Sequence, residues 1–271
     1  MHIRNDRFIK WFLVILCLLL VNLPDYLNAQ VADNIENLEI LQLIHTPNAG
    51  VLHRGQYQFD FRGYGDSGVN IGLSIGLFDR FMFGVSYGGN KILGYEQPDW
   101  NSLPGVLVKY RLIEETQLLP ALTAGFDMQG RGAWNEDDER YLFKAPGVFA
   151  AVSRNFISTF GRFGVHGGAN YNSIEDKNGD NAWDAFAGID YSINEQIIVL
   201  GEYDFAFDDN EEDGTYGKGR GYLNLGVRLA LAQSFILEFD AIDVLLNSES
   251  LSGESTIGRE VKIVYVETFD F

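Results

Sequence analysis

Residues 69–87 contain the pattern that most constrains the fold of this chain. Apolar side chains occupy every second position on both sides of a three-residue break at Phe78-Asp79-Arg80. A period of two with a short break predicts two antiparallel strands joined by a tight turn. One face of this hairpin is wholly apolar, while the other carries only Asn, Gly, Ser and Met.

The face of small and polar side chains has too little volume to build a packed water-soluble core. An apolar face turned to lipid and a small polar face turned to a lumen explain the pattern better. The hairpin therefore predicts strands of an outer-membrane β-barrel. Past Gln30 no apolar run is long enough for a membrane-spanning helix, so a membrane form of this chain requires a closed sheet.

The same alternation recurs along the chain and predicts an all-β, antiparallel, up-and-down transmembrane barrel of about 12 strands. Pro146 interrupts one of these segments, so its inward and outward positions cannot be assigned. The predicted strands are 56–62, 69–77, 81–87, 106–111, 122–129, 142–154, 162–171, 183–191, 197–207, 222–231, 235–241 and 261–271.

Connection lengths give a second argument. After the first turn, short links alternate with long ones, and the long ones are 88–103, 130–141, 173–181, 209–220 and 247–258. Outer-membrane barrels have short periplasmic turns and long external loops. Both ends of the barrel then lie in the periplasm, which requires an even number of strands.

Aromatic residues fall where membrane interfaces are expected. Trp183 and Tyr191 bracket a short outward-facing apolar run, about 20 Å apart along the membrane normal for a tilted strand. The chain ends on Phe271, with Tyr265 and Phe269 in the same phase, similar to the carboxy-terminal signature of bacterial outer-membrane proteins. A buried aromatic closing strand is the alternative.

The amino-terminal region divides into two parts. Residues 1–29 combine a basic start, a short apolar core and a small-residue cleavage site, which predicts a cleaved secretory signal peptide; an uncleaved anchor is the alternative. Residues 30–53 are predicted as a periplasmic or plug segment, either a short amphipathic helix or a disordered leader. Residues 54–271 form the barrel. Cys17, the only cysteine, lies in the signal peptide.

Charged residues on the inward faces predict a polar lumen. Short turns place Arg228 across from Glu238 or Asp240, with Glu202 on the preceding strand, as an ion-pair ladder. The network either lines an open pore or fills and stiffens the barrel. The predicted lumen-lining residues are Asp60, Arg62, Lys109, Arg111, Arg162, His166, Asp184, Asp190, Glu202, Asp204, Arg228, Glu238, Asp240 and Lys262.

No catalytic residue, cofactor or metal is predicted. His166 points inward, but its nearest candidate nucleophile, Ser153, lies on the strand of unassigned phase. Residues 176–180 imitate the start of a calcium loop, yet Ala187 stands where a bidentate acid is expected. The acidic stretches of the external loops, 136–139, 175–181 and 208–213, are therefore predicted to be solvated, with divalent bridging to lipopolysaccharide as an alternative.

Several segments resemble YjbH-type outer-membrane proteins and their smaller bacterial relatives. The likeness covers about residue 47 to the end and is carried by 84–89, 98–101, 104–111 and 125–130, with further similarity at 161–171 and 201–206. The resemblance implies an association with exopolysaccharide production and export. It supplies no catalytic residues.

These observations predict a non-enzymatic barrel of the bacterial outer membrane. It would act as a porin-like channel or export-linked conduit for small polar or saccharide solutes. The expected partners are outer-membrane lipid, lipopolysaccharide and the barrel-assembly machinery; a net charge of −18 argues against nucleic acid. The alternatives are a non-conducting structural or surface-interaction barrel and a lipid-modifying barrel enzyme acting through His166.

Overall fold

The computed structural model describes residues 40–158, 161–175, 177, 182–209, 216–248 and 256–269. Within these ranges the fold is all-β, and none of its segments is a helix long and apolar enough to cross a membrane. The predicted signal peptide, residues 30–39, Phe271 and most of the calcium-like loop lie outside the described residues. The strands are β1 (Gln56–Tyr64), β2 (Gly68–Phe78), β3 (Phe81–Asn90), β4 (Asp99–Trp100), β5 (Gly105–Ile113), β6 (Ala121–Asp127), β7 (Arg131–Asn135), β8 (Arg140–Phe143), β9 (Gly147–Ser158), β10 (Gly161–Tyr171), β11 (Asp184–Ser192), β12 (Ile197–Asp204), β13 (Tyr222–Ala232), β14 (Phe235–Ile242) and β15 (Gly258–Thr268).

Twelve of the described strands close into an antiparallel barrel. Each pairs with its sequence neighbours in the wall, and β1 pairs with β15 from Gln56 opposite Thr268 to Gly63 opposite Val261. Closure leaves no unpaired edge, which is what a sheet in lipid requires. The two-residue β4 pairs only with β3, and β7 pairs only with β8 outside the wall. The predicted 12-strand barrel is confirmed.

The alternation of residues 69–87 places side chains as predicted. Ile71, Leu73 and Val85 are 43–50% exposed on the outer surface, whereas Asn70 and Met82 are buried inside. An apolar outside and a polar inside are the arrangement of an outer-membrane barrel. The apolar side chains of the wall therefore face the lipid side.

Aromatic residues form a contact belt near each end of the outer surface. Near the long loops, Tyr87 stacks on Trp100, with ring centroids 5.8 Å apart, and Tyr171 contacts Trp183. Near the short turns, Phe156 stacks on Phe163, and Tyr57 contacts Phe269. Two such belts match the two interfaces of a bilayer. We call the two ends of the barrel the loop end and the short-turn end.

Some strand boundaries differ from those predicted. The strand predicted at 142–154 begins only at Gly147, after Pro146, and residues 140–143 belong to β8 instead. Proline cannot donate a ladder hydrogen bond, so pairing with β10 starts beyond it. The strand predicted at 197–207 ends at Asp204, where its carboxylate accepts a hydrogen bond from the Ala206 amide and begins a turn.

Candidate functional site

The barrel interior contains most of the charged residues predicted to line it. Arg162 is exposed at the short-turn rim, and Asp60 and Asp204 are half-buried. These positions follow directly from the two-residue period of the strands. The remaining predicted residues are buried: Arg62, Lys109, Arg111, His166, Asp184, Asp190, Glu202, Arg228, Glu238, Asp240 and Lys262.

A segment from outside the wall occupies this interior. Residues 40–53, which we call the lumen hairpin, enter from the short-turn end and turn back at Leu43–Thr46, where the Leu43 amide donates to the Thr46 carbonyl at 3.0 Å. Gln42 and Pro47 form an isolated antiparallel β-bridge between the two arms. Within residues 40–53 the structure shows no helix, and residues 30–39 of the predicted segment lie outside the described residues. Leu41, Leu43 and Ile44 are buried against the inner wall.

The close approach of the two arms depends on a glycine. A Cβ at Gly50 would lie 1.9 Å from the Ile40 carbonyl oxygen, which is far inside van der Waals contact. Glycines in the wall make similar room for the hairpin. A Cβ at Gly188 would lie 2.2 Å from Leu43 Cδ1, and one at Gly76 would lie 2.0 Å from the His53 carbonyl oxygen. The hairpin and the wall therefore pack closely against each other at positions where only glycine fits.

Glu202 on β12 holds the tip of the lumen hairpin. Its Oε2 accepts hydrogen bonds from the amides of Ile44 and Thr46 and from the Thr46 hydroxyl at 2.8–3.0 Å. Its Oε1 accepts from the His45 amide at 2.8 Å and from Asn224 Nδ2 at 2.7 Å. One buried carboxylate thus satisfies three consecutive backbone amides that would otherwise lack a partner.

Cationic side chains of the wall hold the carbonyl groups of the same hairpin. Lys109 Nζ donates to the Leu41 carbonyl at 2.7 Å, and Arg228 Nη2 donates to that of Leu43 at 3.0 Å. Arg62 donates to the Ile44 carbonyl at 3.1 Å and pairs with Glu260, which also contacts His45 Nε2 at 2.9 Å. The wall charges therefore bind a peptide backbone in this structure.

The predicted ion-pair ladder is present in part. Arg228 lies opposite Glu238 in the β13–β14 register and donates to it through Nε. Lys262 on β15 lies 3.9 Å from the same carboxylate. Glu202 does not join the ladder, because the register places it opposite Asn224 rather than beside Arg228. Its charge is used by the lumen hairpin instead.

The loop end is closed by the β7–β8 hairpin. Phe143 packs edge-on against Tyr222 and contacts His45 at the tip of the lumen hairpin, with ring centroids 5.0 and 5.5 Å apart. Arg140, which is fully buried, forms a two-point ion pair with Asp209 at 2.8 and 3.1 Å. The cavity left between the two hairpins holds only about 40 Å³.

Glu175 binds the backbone of β8 and of the residues that follow it. Its carboxylate accepts from the amides of Tyr141 and Ala145 at 2.9 and 3.1 Å. Burial raises the pKa of Glu175 to about 7, although these amide hydrogen bonds favour the charged form and lower it. The prediction that the acidic loops are solvated is therefore wrong for Glu175, Asp208 and Asp209, all of which are buried.

The short-turn end is open by comparison. A cavity of about 620 Å³ lies below the lumen hairpin and is lined by both wall and hairpin residues, including Arg111, Arg162 and Ala49. Its volume falls within the range of about 300–1,000 Å³ that is usual for small-molecule sites.

The wall of this cavity brings three chemically active side chains together. Ser153 Oγ lies 2.8 Å from His166 Nδ1, and His166 Nε2 lies 2.6 Å from Asp190 Oδ2. Sequence reasoning placed His166 and Asp190 inside but left Ser153 unassigned. The signal that it missed was the β9–β10 register, which puts Ser153 directly opposite His166.

Among the described residues, no group of histidine, cysteine and acidic side chains is arranged to hold a metal ion. Two of the buried carboxylates face nitrogen donors instead: Glu202 accepts from backbone amides, and Glu260 contacts Arg62 and His45. The acidic residues of 210–215 and most of 176–181 lie outside the described residues.

The chain has only distant similarity to known proteins. No family model matches the chain, and no curated protein matches it significantly. Among solved structures it is similar to the KdgM porin, with 8% identity and a TM-score of 0.45 over 79% of this chain and 99% of that one. The NanC porin has 11% identity and a TM-score of 0.42 over 80% and 99%. Omp33 of Acinetobacter baumannii has 10% identity and a TM-score of 0.43 over 80% and 98%.

Proposed function

We propose that the protein is a porin-like channel of the bacterial outer membrane for small polar or saccharide solutes, with the lumen hairpin as its closing element. The observation that carries the proposal is the way the interior is filled. The hairpin has no ladder pairing with the wall strands and is held by side chains such as Glu202 and Lys109. Its displacement would leave the barrel intact.

The size and lining of the barrel support a pathway. Barrels of eight strands are filled by their own side chains, whereas those of 16–18 strands leave an aqueous channel. Twelve strands enclose an intermediate space, and here that space holds one extra peptide hairpin. Without the hairpin, the path would be lined by the charges of Arg62, Arg228 and Glu202, which suit polar rather than apolar solutes.

The direct test is conductance in planar bilayers. The mature wild-type protein is compared with a variant in which residues 40–53 are replaced by a Gly/Ser linker of equal length. We expect low and intermittent conductance for the wild type and a steady open level for the variant. Heat-modifiable electrophoretic mobility serves as the control that both barrels are folded.

A second function is favoured by the closed lumen itself. A barrel packed at the loop end by Phe143 and along its axis by Leu43 and Ile44 could be a non-conducting structural or surface-interaction protein. If the linker variant is folded but passes no current over a range of salt concentrations, this second function replaces the first.

Transport of saccharides is the more specific part of the channel proposal. It is supported by the resemblance of segments such as 84–89 and 104–111 to YjbH-type proteins, which implies a link to exopolysaccharide export. Liposome-swelling rates with glucose, sucrose and a trisaccharide would measure it. A permeation rate that depends on solute size but not on sugar identity would assign a general channel instead.

A further inference from the structure

Three adjacent strands of the wall assemble a nucleophile, a base and an orienting acid. Ser153 on β9 pairs directly with His166 on β10, and Asp190 on β11 lies opposite Gly164, two residues from His166. The Oγ–Nδ1 and Nε2–Oδ2 distances are 2.8 and 2.6 Å. The arrangement is that of a serine activated by a histidine which a carboxylate orients.

The proton positions follow from what each atom can do. Asp190 Oδ2 accepts a hydrogen bond from the N–H at His166 Nε2. In the neutral ring, Nδ1 then carries the lone pair. The Ser153 hydroxyl then donates to Nδ1. This geometry points the transferable proton of Ser153 at the base, as nucleophilic catalysis requires.

A glycine in the wall, Gly164, makes room for the contact between His166 and Asp190. A Cβ at Gly164 would lie 2.2 Å from Asp190 Oδ2 and 2.6 Å from His166 Nε2. Any side chain at this position would therefore push the ring and the carboxylate apart. Glycine at 164 is the one residue that leaves the hydrogen bond between them undisturbed.

The three side chains also border the cavity of about 620 Å³ at the short-turn end. Side chains of both signs border the same space: Arg111, Arg162 and Arg228 together with Glu114 and Glu115. Arg111 pairs with Glu114 at 2.9 Å, and Arg228 pairs with Glu238. This polar and charged lining suits a small, water-soluble ester.

The geometry points to a second activity of the barrel: hydrolysis of a small, water-soluble carboxylic ester at Ser153. Ser153 Oγ bonds to the ester carbonyl carbon, and its proton passes to His166 Nδ1. The carbon–oxygen bond of the ester breaks, and the alcohol leaves with that proton. Water then attacks the acyl-serine and loses a proton through His166, which releases the carboxylic acid and restores the hydroxyl.

A structural role for the same hydroxyl is the competing explanation. The Ala49 amide of the lumen hairpin donates to Ser153 Oγ at 2.9 Å, and Thr123 Oγ1 donates to the Ala49 carbonyl at 2.6 Å. Ser153 and Thr123 therefore anchor the same residue of the hairpin, but only Ser153 contacts His166. Thr123→Val is accordingly the matched control for loss of anchoring alone.

The experiment exposes the folded full-length protein in detergent to a fluorophosphonate probe and locates the adduct by peptide mass spectrometry. We expect a single adduct on Ser153, absent in Ser153→Ala. Asp190→Asn should slow labelling on the order of 100-fold or more, because the histidine loses the acid that orients it. Thr123→Val should label at close to the wild-type rate. Hydrolysis of a small, water-soluble p-nitrophenyl ester, such as the succinate monoester, should follow the same order.

Two results would overturn the inference. One is a folded wild type that labels no faster than Ser153→Ala. The other is equal labelling of wild type and Asp190→Asn, which would mark a hydroxyl that the histidine and its carboxylate do not activate. Neither result bears on conductance, so the channel proposal and the hydrolysis proposal stand or fall separately.

Discussion

At the loop end of the barrel, the β7–β8 hairpin, Glu175 and the Arg140–Asp209 pair reduce the interior to a cavity of about 40 Å³. At the short-turn end, a cavity of about 620 Å³ remains between the lumen hairpin and the wall. The strands are the same at both ends, since each crosses from one to the other. The difference arises from the connections: long loops can fold inward, whereas turns of two to seven residues cannot.

The lumen hairpin separates these two halves, and its retention should decide whether they communicate. Its tip makes four hydrogen bonds to one carboxylate, that of Glu202, whereas its base is bordered by open space. We therefore expect changes at the tip to have larger effects than changes at the base. The predictions below are ordered by that expectation.

Glu202→Ala should have the largest effect. It leaves the amides of Ile44, His45 and Thr46 without acceptors, which should destabilise the closed hairpin by more than about 3 kcal/mol. Open probability in planar bilayers should rise on the order of 100-fold. Glu115→Gln, at the exposed short-turn rim, is the control and should leave gating unchanged. Equal gating in both variants would show that the tip does not hold the channel closed.

Closure of the loop end should depend on pH through Glu175. The pKa is raised to about 7 in the folded loop from its ordinary value of 4.5, so the loop is most stable below pH 4.5 and loses stability as pH rises through 7. The loss for complete ionisation is at most about 3 kcal/mol. Hydrogen-exchange protection at residues 140–145, measured relative to the intrinsic exchange rate at each pH, should fall between pH 5 and pH 8. In Glu175→Gln this fall in protection should be absent; pH-independent protection in the wild type would remove the link between ionisation and closure.

Gly50→Ala should spread the two arms of the lumen hairpin. Its Cβ would collide with the Ile40 carbonyl at 1.9 Å, and overpacking of this kind costs about 1–3 kcal/mol. Limited proteolysis within residues 40–53 should become faster. Gly65→Ala, where a Cβ meets nothing within 4 Å, is the matched control. If both variants resist protease like the wild type, the arms tolerate separation.

Thr123→Val should have the smallest effect on the hairpin. It removes one hydrogen bond to the Ala49 carbonyl at the base and should cost about 1 kcal/mol. Proteolysis of the hairpin should increase less than in Gly50→Ala, and conductance should change less than in Glu202→Ala. A Thr123→Val effect as large as that of Glu202→Ala would reverse the proposed order of tip over base.

Much of the wall could be predicted because its signals are local. Alternation at 69–87 assigned inside and outside correctly. The short turn before Phe235 limited the partner of Arg228 to Glu238 or Asp240, and the register in the structure selects Glu238. The assignment of inward and outward positions in residues 142–154 failed because it also depended on a local signal. Pro146 removed the local phase, so the inward position of Ser153 became visible only through its pairing with His166.

The amino-acid sequence by itself determined the barrel: its strand number, its lipid-facing surface and the charge of its interior. All three follow from a two-residue period that operates within each strand. Only the tertiary structure decided what those interior charges bind. Glu202 lies 156–158 residues from the amides that it holds, and Lys109 lies 68 residues from the Leu41 carbonyl. A contact across that separation depends on closure of the whole sheet, which brings the amino-terminal hairpin and the distant strands to one axis.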